Sequence, residues 1–95
     1  HWADNISLMK LSVPGFARLT EILKVLADTL CQGNLVFSLE GGYHLQALPY
    51  SVKATLDVLL GNASIEDPLG QSPHRFSPPD ISHHIRTIKE THGLV

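Results

Sequence analysis

Apolar residues return at helical spacing along the first third of the chain. Phe16, Leu19, Leu23, Leu26, Ala27 and Leu30 fall on one stripe, with Ile22 at its edge. Arg18, Glu21, Lys24 and Asp28 face the other way, spaced so that Glu21–Lys24 and Lys24–Asp28 can pair weakly on a solvated face. The pattern predicts a helix over 14–32. Ser12 is its expected N-cap, proline stands in its first turn, and Gly33 lies just past its end. The rhythm then changes. Leu35, Val36, Phe37 and Leu39 form a nearly continuous apolar run, which predicts a short buried strand over 34–39. Leu45, Leu48, Val52, Leu56, Leu59 and Leu60 restore helical spacing and predict a second helix over 44–60, with Pro49 near its start and Gly61-Asn62 closing it. Ahead of the first helix, Asp4-Asn5 reads as a turn, and Leu8, Met9 and Leu11 as anchors to a core.

Beyond Asn62 the periodicity stops. Asp67-Pro68, Ser72-Pro73 and Ser77-Pro78-Pro79 mark a proline-rich connector over 63–79. Asp80 then caps a last predicted helix, with Ile81, Ile85 and Ile88 on its apolar side and Gly93 at its end. The predicted order is helix, strand, helix, connector, helix. A lone strand between two amphipathic helices is a unit of a parallel α/β sheet, not a whole one. It needs neighbouring strands, from a longer parent chain or from another copy of this one.

Between the strand and the second helix stands Glu40-Gly41-Gly42-Tyr43. The two glycines permit backbone angles and close approaches that a side chain forbids. In open parallel sheets ligands sit beyond the carboxyl ends of strands. Read locally, the segment is either such a site, presenting the Tyr43 hydroxyl, or a plain strand-to-helix connection with a solvated tyrosine.

Composition narrows the picture modestly. At 95 residues the chain is one domain at most. A net charge of −2 gives no footprint for nucleic acid or an anionic membrane. No apolar run approaches the roughly 20 residues that span a bilayer, and no signal peptide is visible. The single cysteine, Cys31, cannot form an internal disulfide; it suits a reducing cytoplasm and, near the stripe, a buried inert thiol. The chain opens on His1 rather than methionine, which suggests a longer gene product.

Motifs for chemistry are few. There are six histidines, but the adjacent His83 and His84 diverge on a helix, and no HExxH or Cys-x-x-Cys occurs. Ser38, Ser51 and Cys31 have no local base, and no GxSxG is present. Gly41-Gly42 is too short for a phosphate-binding loop.

Leu39-Glu40-Gly41-Gly42-Tyr43 followed by Leu45 resembles a segment of the histone deacetylase superfamily, in its bacterial branch with the acetoin-utilisation and acetylpolyamine amidohydrolase relatives. The order His1-Trp2-Ala3-Asp4, Leu11 to Phe16, a helix, the glycine–glycine–tyrosine segment, and a helix ending Leu59-Leu60-Gly61 is similar to that family's closing segment. Asn5 departs from it, since relatives usually carry proline there. The likeness covers residues 1 to about 62.

The resemblance implies an α/β fold: the C-terminal fragment of an arginase/deacetylase-like three-layer α/β/α architecture with a mainly parallel sheet. It implies domain segments 1–62 (end of a catalytic domain), 63–79 (connector) and 80–95 (last helix). The family's enzymes are zinc-dependent amidohydrolases that remove acetyl groups from acetyl-lysine or acetylated amines. Their tyrosine corresponds to Tyr43, whose hydroxyl steadies the developing oxyanion, a contribution of roughly 2.7–4 kcal/mol for one such donor. Gly41 and Gly42 would thin the wall of the acyl pocket and so count as substrate-binding. The family's metal ligands and acid/base histidines fall upstream in its order, the last aspartate just before His1. The expectation is therefore zinc in the complete enzyme, none held by this chain alone, and no activity from the chain alone. Its expected partners are the remainder of the parent domain or another copy, and an acetylated substrate, but not nucleic acid or membrane. The alternative is a non-catalytic α/β interaction module that self-associates through strand edges.

Overall fold

Ser12 begins the first element. Its Oγ accepts the Gly15 N–H at 3.2 Å, satisfying one of the donors that every helix start leaves open. Helix α1 runs Val13–Leu30 with proline in its first turn. At its end the Cys31 and Gly33 N–H groups both return to the Ala27 carbonyl at 2.9 Å, and Gln32 and Gly33 take positive φ to turn the chain away. Helix α2 runs Ala47–Leu60. Pro49 falls in its first turn, where a missing N–H breaks no helical bond. His44 starts it, with Nδ1 accepting the N–H groups of Gln46 at 3.3 Å and Ala47 at 3.1 Å. Gly61, at φ +83°, closes it. Helix α3 runs Ser82–Thr91, with the Asp80 carboxylate accepting the Ser82 N–H at 2.9 Å. The computed structural model describes every residue except Leu8, Phe76 and Val95. The anchoring role expected of Leu8 lies outside the described residues.

The described residues form three helices and no strand, which corrects the expected parallel-sheet α/β fold. Residues 34–39 are mostly exposed, with Val36 91% accessible. An apolar run becomes a strand only by exchanging backbone hydrogen bonds with a second strand, and none of the described residues offers one.

The faces of the helices are also reversed from expectation. Helices α1 and α2 pack on each other through small residues: Val13, Ala17, Thr20 and Ala27 are buried on one, Ala47, Ser51, Ala54 and Val58 on the other. Val13, Ala17, Ala54 and Val58 form the core, covered by Tyr50, Ile65 and Leu69. The bulky stripes stay out: Leu19, Leu23, Leu26, Leu30, Leu56 and Leu60 are all exposed. Small side chains let two backbones approach closely. Large ones keep their hydration cost until something covers them, about 1.5–3 kcal/mol for each fully buried leucine. Lys24 does not pair on its own helix. Its Nζ donates to the Val58 and Leu59 carbonyls at 3.4 Å, a cation at the negative end of α2. Cys31 is exposed, not buried, and its thiol donates to the Asn34 carbonyl at 3.2 Å. Met9 is likewise exposed. Helix α3 buries none of its residues.

Two side-chain locks fasten the ends of the pair. In the connector, Asp67 Oδ1 accepts the Leu69 and Gly70 N–H groups at 3.1 and 3.0 Å, and the Gly70 carbonyl accepts Trp2 Nε1–H at 3.2 Å. On α2, Lys53 Nζ donates to Asp57 Oδ2 at 2.8 Å while Asn62 Nδ2 donates to Asp57 Oδ1 at 3.0 Å. The Lys53 ammonium first, and the Asn62 amide second, hold the Asp57 carboxyl below its ordinary 3.8. A depressed carboxyl contributes stability above its unfolded value and loses it as pH falls through the folded value. Asp57→Asn is therefore expected to flatten the acid limb of the stability curve below pH 3.8, with less change between neutral pH and that range than in the unsubstituted chain. Circular dichroism melts at stepped pH measure it.

Candidate active-site segment

Tyr43 stands in the irregular stretch ahead of α2, where residues 34–46 contain no helix or strand. The residue is 60% exposed. The preceding turn is built from the two glycines in different ways. Gly42 has φ +121°, a backbone conformation that calls for glycine; a Cβ there would also lie 2.7 Å from Leu48 Cδ1, the movable end of a side chain. At Gly41 a Cβ would meet the Tyr43 hydroxyl at 3.5 Å, ordinary contact. The phenol therefore lies back beside Gly41.

The turn is tied to the N-terminal loop through one carboxylate. Asp4 is 6% exposed. Its Oδ2 accepts the Tyr43 N–H at 2.8 Å, and its Oδ1 accepts the N–H groups of Ile6 at 2.9 Å and Ser7 at 3.2 Å. Hydrogen bonds to the charged form favour it. The Tyr43 N–H most of all, then that of Ile6, hold the Asp4 carboxyl below its ordinary 3.8.

Beside this turn opens a cleft of about 370 Å³. Phe16, Phe37, Leu48, Val52 and Leu56 give it apolar walls, and Gly41 and Gly42 form part of its rim. Two buried polar atoms in its lining lack a partner, His1 Nε2 and Ser51 Oγ. His1 Nδ1 accepts the Ala3 N–H at 3.0 Å, so Nε2 carries the ring proton and needs an acceptor. The walls suit an apolar occupant, and a polar group of that occupant or a water molecule would satisfy these two atoms.

Among the described residues no three histidine, cysteine, aspartate or glutamate side chains converge to hold an ion. His83 and His84 meet edge to face, with ring centroids 6.0 Å apart. Sequence reasoning placed His1 and Asp4 in the family's order but missed the bond from Asp4 to Tyr43, and it missed His44 altogether. Asp4-Asn5 was legible as a turn, but the second carboxylate oxygen has its partner 39 positions away.

A family profile described as the histone deacetylase domain matches residues 1–59. The chain belongs to the histone deacetylase family. Histone deacetylase 14, chloroplastic, of Arabidopsis thaliana is 29% identical over 99% of this chain and 23% of its own length. A probable deacetylase of Archaeoglobus fulgidus is 27% identical over 98% of this chain and 28% of its own length. The polyamine deacetylase HDAC10 of Homo sapiens is 49% identical over 62% of this chain, 8% of its own length. The chain thus spans about a quarter or less of these deacetylases. No solved structure matches it. Among the described residues no helix is long and apolar enough to cross a membrane.

Proposed function

We propose that this chain supplies Tyr43 to the active site of a zinc-dependent deacetylase acting on acetyl-lysine or acetylated amines. The observation that carries the reading is the Gly41-Gly42-Tyr43 turn, fixed by Asp4 and by a glycine-only conformation, within a segment matched by the family profile. The chemistry asked of Tyr43 is donation. Its O–H points at the acetyl carbonyl oxygen, and the bond strengthens as negative charge grows there. Gly41 and Gly42 border the acyl group without side chains to block it. Zinc belongs to the assembled enzyme, where the family's order places its ligands upstream of the segment that carries Tyr43.

A phenol in open water stabilises an oxyanion weakly, because solvent competes and screens. Tyr43 needs cover, and so do the bulky stripes of α1 and α2 beside it. The occupant that suits them is the remainder of a deacetylase domain, of which this chain has about a quarter of the length found in relatives. It would also supply partners to His1 Nε2 and Ser51 Oγ. A second copy of the chain is the competing occupant, favoured by the same exposed stripes; light scattering separates the two, since a stable dimer would point to the copy. A cytoplasmic site of action is proposed with this reading, against the chloroplastic names of some relatives.

The 95-residue chain is expected to show no turnover of a fluorogenic acetyl-lysine peptide. Turnover abolished by a chelator would overturn the division of labour proposed here. The role of the phenol itself is tested by Tyr43→Phe in the deacetylase that carries this segment.

A further inference from the structure

We infer that Asp4 is a positioning residue for Tyr43: its carboxylate grips the Tyr43 backbone N–H and so sets where the phenol is delivered. The inference rests on the role proposed for Tyr43. The geometry is specific. The bond of 2.8 Å links two loops 39 positions apart, at a place where no helix or strand holds the backbone. The other carboxylate oxygen is engaged by Ile6 and Ser7, and the Asp4 N–H donates to the His1 carbonyl at 3.0 Å. The carboxylate therefore cannot swing without breaking its own turn, and it is buried from competing water.

The arrangement uses both oxygens as acceptors. An asparagine offers only one, so Asp4→Asn can keep the Ile6–Ser7 turn while facing the Tyr43 N–H with an NH₂ group, donor against donor. Tyr43 would then lose its tether and the local loop would survive. A role confined to the N-terminal turn would not move Tyr43 at all, which makes the Tyr43 amide the diagnostic group.

Amide hydrogen exchange followed by NMR on the 95-residue chain tests this directly. The Tyr43 amide is expected to exchange about ten- to a hundredfold more slowly than an unprotected peptide, the protection of one charge-assisted bond. In Asp4→Asn it should fall to within about threefold of the unprotected rate, while the Ala17 and Ala54 amides keep their protection. An unprotected Tyr43 amide in the unsubstituted chain, or unchanged protection in Asp4→Asn, would overturn the inference. The first of these measurements decides even where the variant fails to fold.

In the deacetylase that carries this segment, Asp4→Asn is expected to lower kcat about 10–100-fold with KM within about twofold. In a Tyr43→Phe background it should cost little more, because both changes remove one donor's aim. Full additivity would mean Asp4 acts elsewhere and would overturn the positioning role. Should Tyr43→Phe by itself leave kcat intact, the oxyanion reading fails, while the amide measurement still judges the tether.

Discussion

Tyr43→Phe is expected to lower kcat for acetyl-lysine hydrolysis by about 10²–10³-fold in the deacetylase that carries this segment, with KM within about twofold. Phenylalanine keeps the ring, the turn and the area in contact with substrate. It removes only the O–H. A neutral acetyl carbonyl in the ground state gains little from that donor, so binding should hold. The same oxygen at the transition state bears most of a negative charge, and there the missing bond is felt. A variant that raises KM with kcat intact would mean the hydroxyl merely binds substrate. Initial rates across substrate concentration distinguish the two patterns.

Gly42→Ala should have the largest effect on the chain's own stability. At φ +121° a Cβ is strained in any surroundings, and here it would also press on Leu48 Cδ1 at 2.7 Å. Left-side backbone conformations cost of order 1–3 kcal/mol in a residue with a side chain. In a domain of this size that lowers Tm by roughly 4–20 °C. Gly41→Ala is the control. No positive φ is recorded for Gly41 and the added carbon makes ordinary contact with the Tyr43 hydroxyl, so its thermal shift should be within about 2–3 °C. Equal losses at the two positions would show that the turn is not held as described. Calorimetry or ellipticity melts read both.

The contrast between the two glycines shows what was legible in the residues alone. Their adjacency, and their place ahead of a helix, announced a tight turn. Which of them carries the constraint depends on the backbone, since Gly42 takes a positive φ and Gly41 does not, and only coordinates reveal it. The helices were legible for a local reason. Ser12, Pro14 and Gly61 act within their own turns, and α1 and α2 begin and end near them. The covered faces were not. Periodicity says that Leu19, Leu23 and Leu26 share a side; it does not say that anything will meet that side. In this chain the backbones close on Ala17 and Ala54, and the leucines are left over. Residues 34–39 failed for the same reason. A strand is a relation between two segments, and an apolar run states only one half of it. Tyr43 was singled out through family likeness, whereas Asp4 was visible only as a turn residue and as part of the matched order, since nothing in the sequence joins it to a position so far along.

The indole of Trp2, fastened to the Gly70 carbonyl, gives the molecule a built-in lamp. The protein has a single tryptophan, so its emission colour follows whether the connector stays seated against the amino-terminal loop, while ellipticity follows the coiled segments. Denaturation watched at both wavelengths would therefore separate loosening of the strap from melting of the rods.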